Sequence, residues 1–495
     1  MSEFSSLLSS YIHQKGYSIR SLAKRTGIPT ATLTKICSGT RSPKNQRSRI
    51  DRIIEVLMLT PEQSKQLTAT LEKEIVGSGY YDSRANMCAF IEGLQCVIYP
   101  SRPLEGKAIL PVLATAEKKA DVYALVRSFL GGGSSYSQKL DIYLQSHDPV
   151  LLEALSQLVR GGATRVRHIV ALATTDGKSG GIDPRNLEKI RRIEPLLLDA
   201  NSQRGNYQAF YYYERAATPS NGLLQFPNVL ISEHAVLQCT ADYTHAICLG
   251  NRGIQRYFQR LFNSQLANCR PLTTVCQSIQ DQIARYRSIT QAGNPQEPLR
   301  VLEWQPCLLW TLTEQEVLHL LPERIPFRRE YLDSWLPYLR QLQQWKTMTL
   351  FFSLEGLNDF VQTGRLQELP EEILPAPLPV SVRIDLLQRV LNWTAGGRVC
   401  PHIVRDEKLR IGKDAQLISY GADTILLASL NHQAGNRICF VEELSANWSA
   451  LDFMENLENT DWILSTDETC RIIQSVIDIC TRELSDEKRA MDGPA

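Results

Sequence analysis

The sequence lacks the features of a membrane or secreted protein. No stretch approaches the roughly 18 uninterrupted apolar residues of a membrane helix, and residues 1–10 have neither the basic start nor the apolar core of a signal peptide. We therefore expect a cytoplasmic protein. Hydrophobic residues make up 43% of the chain and charged residues 22%, which is typical of a globular protein. At about 100 to 200 residues per domain, 495 residues predict about three domains.

Cysteine spacing gives no sign of a metal or redox motif. The chain has 12 cysteines, and no two of them are separated by the two residues of a zinc knuckle or a redox pair. In a reducing compartment such scattered cysteines are usually buried and unreactive. We therefore predict no metal site and no cofactor.

Acidic residues are scarce in one part of the chain only. The net charge is +1, yet residues 1–76 hold 12 basic and six acidic residues, while the remainder holds 42 basic and 47 acidic residues. A small basic segment joined to a slightly acidic body is typical of a nucleic-acid-binding domain attached to another function.

The basic segment has the pattern of a helix-turn-helix. Ser18 stands where a helix N-cap is expected, and Gly27 can adopt the left-handed conformation of a tight turn. Pro29 suits the first turn of the next helix, which ends before Gly39. Apolar residues at helical spacing give both helices one inward face: Ile19, Leu22, Ala23, Leu33 and Ile36. A helical hairpin buried in a larger core is the alternative interpretation.

Residues 18–39 resemble the helix-turn-helix of Cro and repressor proteins, and the resemblance covers about the first 75 residues. It rests on the pairs Leu22-Ala23 and Gly27-Ile28 and on Leu33, Ile36 and Gly39. Two positions depart from the family: Ser18-Ile19 stand where many members have glutamine, and Cys37 replaces a frequent acidic residue. The resemblance implies a bacterial transcriptional regulator that binds double-stranded DNA.

The predicted DNA contacts are small, hydroxylic or basic residues. The exposed face of the third helix suits base edges in a major groove, whereas basic residues in the following loop suit phosphates. The predicted contacts are Ser18, Arg20, Thr30, Ala31, Thr34, Lys35, Arg41, Lys44, Arg47 and Arg49. For Arg47 and Arg49, solvated surface charge is an equally good interpretation.

The remaining chain predicts two α/β modules. A capping box at Thr60 begins a fifth helix, and Gly77-Ser-Gly79 ends it, so the predicted domains are 1–76, 80–280 and 295–490. Strand and helix patterns between 139 and 171 predict a βαβ unit, hence a partly parallel sheet. The fold class is thus an all-α N-terminal domain followed by two modules with mixed sheets.

The two modules resemble one another in one region. The segment from Val229 through the helix with Phe258 and Leu261 follows the same order as the segment from Gln416 through the helix with Phe453 and Leu457. An internal duplication and a chance similarity of two hairpin-helix units are both open interpretations.

No catalytic motif is recognised. The sequence Asp176-Gly-Lys-Ser-Gly180 lacks the first glycine of a phosphate loop, and no serine in a nucleophile turn accompanies His147, His168, His234 and His245, which cluster in one module. We predict a one-component transcriptional regulator, not an enzyme, with a body that binds a small-molecule or peptide effector. A homodimer on an inverted repeat is expected, with a contact from residues 80–495 such as the stripe Ile472, Ile473, Val476 and Ile477. An enzyme tethered to DNA and a DNA-localised interaction scaffold are the alternatives.

Overall fold

The computed structural model describes most of the chain in two compact units, Met1–Ala85 and Asn86–Ala495. The described residues are 2–40, 47–94, 113–133, 139–145, 147–174, 184–199, 205–214, 227–276, 278–323, 328–369, 374, 376–421, 424–431 and 437–491. None of the helices in these ranges is both long and apolar enough to cross a membrane.

The N-terminal unit is helical, as the sequence predicted. Its helices are α1 (Glu3–Gln14), α2 (Ile19–Thr26), α3 (Thr30–Cys37), α4 (Arg47–Leu57), α5 (Pro61–Val76) and the first part of α6 (Ser78–Gly93). The predicted capping box at Thr60 is confirmed, since its side chain accepts from Gln63 N and Gln63 caps Thr60 in return. Gly77 ends α5 at a φ of 98°, but α6 follows at once where the sequence predicted a domain boundary.

The first sheet of the second unit has eight strands. In chain order they are β1 (Leu113–Ala116), β2 (Lys139–Leu144), β3 (Arg165–Ala173), β4 (Tyr207–Glu214), β5 (Asn228–Ile231), β6 (Val236–Cys239), β7 (Ala246–Leu249) and β8 (Arg270–Pro271). The accompanying helices are α7 (Lys119–Gly133), α8 (Pro149–Arg160), α9 (Pro184–Leu197) and α10 (Arg252–Leu266). Strands β2, β3 and β4 are parallel, which confirms the predicted βαβ unit, and the spatial order is β1-β7-β6-β5-β2-β3-β4-β8.

The second sheet has seven strands. They are β9 (Thr273–Cys276), β10 (Leu299–Glu303), β11 (Met348–Ser353), β12 (Val399–Val404), β13 (Ala415–Ser419), β14 (Ile425–Asn431) and β15 (Arg437–Val441). The helices are α11 (Ile279–Ala292), α12 (Glu314–Leu320), α13 (Arg328–Leu342), α14 (Leu354–Thr363), α15 (Val380–Ala395), α16 (Leu444–Leu457) and α17 (Thr466–Met491). Pro337 lies inside α13 and does not interrupt it. The chain passes from the first sheet to the second between Pro271 and Thr273.

The two sheets have the same topology. Read from β9, the second sheet has the order β9-β15-β14-β13-β10-β11-β12, which matches β1-β7-β6-β5-β2-β3-β4 strand for strand. The directions also match: β10, β11 and β12 are parallel, and β13 returns antiparallel to β10 as β5 does to β2. The region of internal similarity in the sequence is therefore part of a repeated arrangement of seven strands.

Helices cover both faces of each sheet. One apolar core combines residues of α7, α8, α9 and α16 with strands of both sheets, so these helices lie between the sheets. A second core packs α11, α13, α15 and α17 on the far face of the second sheet, and α10 covers the far face of the first. Ile473 and Ile477 of α17 are buried in the second core, and Ile472 and Val476 pack against it. The suggestion that this stripe makes a dimer contact is therefore wrong, because the stripe is packed on its own module.

Candidate nucleic-acid interface

The turn between α2 and α3 is held by local hydrogen bonds. The side chain of Ser18 accepts from Ser21 N, and Gly27 has a φ of 69°, so the predicted cap and left-handed turn are confirmed. Thr26 Oγ1 donates to the carbonyl of Leu22 at 2.8 Å and accepts from Ile28 N at 3.3 Å. Arg52 Nη1 from α4 donates to the carbonyl of Thr26 at 3.3 Å. The two helices are thus fixed relative to one another before any ligand binds.

One face of α3 is buried against the other helices of the unit. Leu33 and Ile36 are buried together with Leu22 and Ile28 of the turn region. The hydroxyl of Ser5 in α1 donates to the carbonyl of Ile36 at 2.9 Å. Because this face is fully engaged, only the opposite face of α3 is open to a ligand.

The exposed face of α3 carries the four residues that the sequence assigned to base reading. Thr30, Ala31, Thr34 and Lys35 are all exposed. The hydroxyl of Thr34 donates to the carbonyl of Thr30 at 2.9 Å, so its proton is engaged within α3 and its oxygen is left as an acceptor. A surface of hydroxyl oxygens, methyl groups and one ammonium matches the groups that DNA presents in a major groove.

The two predicted contacts at the start of α2, Ser18 and Arg20, have different roles in the structure. The hydroxyl of Ser18 is engaged with Ser21, both as the acceptor from Ser21 N and in a hydroxyl pair at 3.1 Å. Arg20 is exposed and lies two residues further on, at the second position of α2. Ser18 therefore orders the helix terminus, whereas Arg20 presents a charge at the helix N-terminus, where backbone N–H groups also attract phosphate.

Arg47 and Arg49 do not lie in a loop, as the sequence suggested; they begin α4. The error arose because the preceding Ser, Pro and Asn residues extended the loop pattern over them. Arg47 Nη2 lies 3.4 Å from Glu72 Oε1 of α5, and both side chains are largely open to solvent. Arg41 and Lys44 lie outside the described residues.

Glu72 and Arg25 are relevant residues that the sequence did not single out. Glu72 is a counter-charge that phosphate must replace if Arg47 is to bind DNA. Arg25 Nη1 donates to the hydroxyl of Tyr17 at 2.7 Å, and its guanidinium lies 5.4 Å from the centre of that ring. The pairs are 25 and eight residues apart, and neither spacing lies within one helix, so the sequence alone does not indicate them.

The histidines of the body divide into two kinds. His147 and His168 are buried with ring centres 5.6 Å apart, and the hydroxyl of Tyr207 lies 2.7 Å from His168 Nδ1. Burial lowers the pKa of His147 to about 3, and that of His168 falls well below its usual value for the same reason. His234 and His245 are exposed. The predicted cluster is therefore a buried neutral pair and two separate surface residues.

Comparison with known proteins identifies the N-terminal unit. Residues 8–63 match the family of Cro/C1-type helix-turn-helix DNA-binding domains. The resemblance inferred from the sequence is confirmed for this unit. The protein therefore carries a Cro/C1-type DNA-binding domain near its N-terminus.

No curated protein sequence matches the chain. A structure of TrmBL2, described as an archaeal chromatin protein with a novel mode of DNA binding, is 9% identical, with 55% of this chain and 94% of that chain covered and a TM-score of 0.23. The crystal structure of phosphatidylserine synthase from Haemophilus influenzae Rd KW20 is 10% identical, with 82% and 98% covered and a TM-score of 0.25. These TM-scores are too low to establish a shared fold.

Proposed function

We propose that this protein is a sequence-specific, one-component transcriptional regulator that reads its operator with α3. The observation that carries the proposal is the exposed face of α3, formed by Thr30, Ala31, Thr34 and Lys35 on a helix whose other face is buried. Threonine hydroxyls and methyl groups contact base edges, and lysine reaches guanine or phosphate. Arg20 and the start of α4 supply positive charge for the adjacent backbone.

The body has a regulatory, not a catalytic, role in this proposal. A single helix-turn-helix contacts few base pairs, and regulators of this type place two reading helices about 34 Å apart on an inverted repeat. A homodimer whose contact lies in the second unit meets this need. The same unit holds the effector that sets the affinity for DNA.

Substitution on α3 tests the proposal. After selection of a preferred operator from random duplexes, Thr30→Ala and Lys35→Ala are each expected to lose about 1 to 3 kcal/mol on that operator and much less on random DNA. Fluorescence anisotropy at constant salt measures both affinities. Ser38→Ala, at an exposed position at the end of α3, is the control and keeps the wild-type preference.

Equal losses on operator and random DNA would show that α3 does not read bases. Operator selection that enriches no sequence would refute sequence-specific regulation altogether.

A further inference from the structure

A small cavity lies in the second module between the sheet and helices α11 and α13. Its volume is about 60 Å³, which is well below the roughly 300 to 1,000 Å³ of pockets that hold organic ligands. Since a single water needs at least about 10 to 15 Å³, the cavity has room for a few water-sized groups. Its walls are largely apolar and aromatic, with Tyr286, Trp335 and Tyr338 among them. A small occupant, such as an ion with its remaining waters, fits this space.

Three potential ligand groups converge on the cavity. Glu303, the last residue of β10, is joined there by Cys307 and by Glu368 from the segment after α14. One ligand atom from each of the three lies within 4.8 Å of the others. Tetrahedral zinc with Zn–S near 2.3 Å and Zn–O near 2.1 Å needs ligand atoms about 3.5 Å apart, so small side-chain shifts bring the three into coordination distance.

Both carboxyl groups present an oxygen without a hydrogen-bond donor. In the described part of the chain, Glu303 Oε2 and Glu368 Oε1 are enclosed and have no partner. Glu303 is 1% exposed, and none of the described residues that line the cavity is Lys, Arg or His. Two buried carboxylates without a basic partner are costly, and a proton or a bound cation has to compensate them.

Surrounding hydrogen bonds hold these groups in place. Gln416 Nε2 donates to Glu303 Oε1 at 2.7 Å, and the hydroxyl of Tyr286 donates to Gln416 Oε1. This relay occupies one oxygen of Glu303 and leaves the other for the cavity. Gln305 and Gln367 exchange backbone-to-side-chain bonds of 2.9 and 2.8 Å, which join the segment after Glu303 to the segment that carries Glu368. Such outer bonds are typical of metal sites, where they orient the ligands.

The first module has an apolar residue at the position equivalent to Glu303. In β10, Leu302 pairs with Leu417 and faces the core that contains α16. In β2, the equivalent strand, Tyr143 pairs with Val229 and faces α10, which is the equivalent of α16. The next residue, which ends the strand, is Glu303 in one module and the fully buried Leu144 in the other. The fold therefore accepts an apolar residue here, and the carboxyl group of Glu303 is not required by the topology.

We propose that Glu303, Cys307 and Glu368 bind a divalent transition-metal cation of the zinc class. The combination of one thiolate and two carboxylates suits such an ion, and water in the cavity completes a fourth position. As the effector of the regulator proposed above, the metal sets the affinity for DNA. That last step rests on the proposed function, whereas binding of the metal does not.

Cobalt(II) titration of the metal-free full-length protein tests the site, because a cobalt–thiolate bond gives a charge-transfer absorption band. We expect a band at one equivalent of cobalt that zinc displaces. Cys307→Ser is expected to lose the band, and Glu303→Gln and Glu368→Gln to weaken cobalt binding at least tenfold. Glutamine closely matches a protonated glutamic acid in shape, so these two variants keep the fold, which circular dichroism verifies.

Cys439→Ser is the matched control. Cys439 is a buried cysteine of β15 in the core on the opposite face of the same sheet, and its neighbour Ile438 lines the cavity. The control is expected to keep the full band. A band of undiminished intensity in Cys307→Ser, or no band in the folded wild-type protein, overturns the site.

The DNA measurement separates the site from the function. Anisotropy with the selected operator is repeated with one equivalent of zinc and after chelation, and we expect at least a fivefold difference in affinity that Glu303→Gln abolishes. Cobalt binding without this difference upholds the site and overturns its role as effector. Operator binding without cobalt binding overturns the site and leaves the regulator intact.

Discussion

The ion pair between Arg47 and Glu72 allows the phosphate contact of α4 to be tested from both partners. The two side chains are 63% and 38% exposed with 3.4 Å between their charged atoms, and such surface pairs contribute about 0.2 to 1 kcal/mol. If Arg47 must leave Glu72 to bind phosphate, Glu72→Gln removes that cost. Operator and random DNA should then both bind about 1.4-fold to 5-fold more tightly.

The opposite substitution reports on the contact itself. Arg47→Gln should reduce the slope of log affinity against log salt by about 0.9, since one phosphate contact releases about that number of counterions. Anisotropy measured between roughly 50 and 200 mM salt gives the slope. Glu62→Gln removes an acidic charge from α5 without releasing Arg47, and is expected to change affinity less than Glu72→Gln. A wild-type slope in Arg47→Gln, or weaker binding by Glu72→Gln, would refute the reasoning.

Two further predictions concern stability. Leu33→Ala leaves a cavity at a fully buried position and should lower the free energy of unfolding of the N-terminal unit by about 2 to 5 kcal/mol in calorimetry, whereas Met58→Ala, at a residue 82% exposed, should change it by less than about 0.5 kcal/mol. Hydrogen bonds from Arg389 lower the pKa of Glu316 to about 2, so the stability that this carboxylate contributes is present above about pH 4.5 and is lost as the pH falls towards 2. Glu316→Gln should therefore flatten the loss of melting temperature over that range, and an unchanged acid dependence would contradict the assignment.

The helix-turn-helix was predictable from the sequence because its signals are local. Ser18 caps α2 three residues from its partner Ser21, and Gly27 stands at the end of α2, where glycine readily adopts the left-handed conformation. The exposed positions of α3 follow from the spacing of Leu33 and Ile36. Helix α6 was missed because Gly77 and Gly79 are turn signals, yet Gly77 only ends α5 and Gly79 lies within the next helix.

Strands β11 and β12 were missed for two different reasons. Every residue of β11 is buried, so its run of apolar residues lacks the alternation that marks a half-exposed strand. β12 contains Pro401, which argues against a strand unless the strand lies at an edge, and β12 is an edge strand of its sheet. Neither property can be read before the neighbouring strands are known.

The carboxyl cluster was beyond sequence reasoning because Glu368 is distant along the chain from Glu303 and Cys307. Cysteine spacing indicated no metal motif, and Glu368 reaches Glu303 only when the segment after α14 folds back onto the end of β10. The repeated topology also corrects the alignment of the two modules. Val229 faces α10 and Leu417 faces the equivalent helix α16. Since a shift of one residue moves a side chain to the other face of a strand, Val229 corresponds to Leu417 and not to Gln416.

The repeated topology points to a dimer surface in place of the C-terminal stripe. The equivalent helices α10 and α16 follow the equivalent strands β7 and β15. Helix α16 lies between the sheets, with Ala446, Ala450 and Met454 buried. In α10, by contrast, Tyr257 and Leu261 are 53% and 48% exposed, so α10 leaves apolar side chains open to solvent.

We therefore expect a second copy of the chain to cover α10. Light scattering at micromolar concentration should give twice the chain mass of 55.9 kDa for the wild type. Leu261→Glu should give a monomer, because a charged residue at a buried apolar contact is costly to desolvate. Ile479→Glu alters an exposed residue of α17, 46% exposed, and should remain dimeric. A monomeric wild type would refute the dimer, and a dimeric Leu261→Glu would place its contact elsewhere in the body.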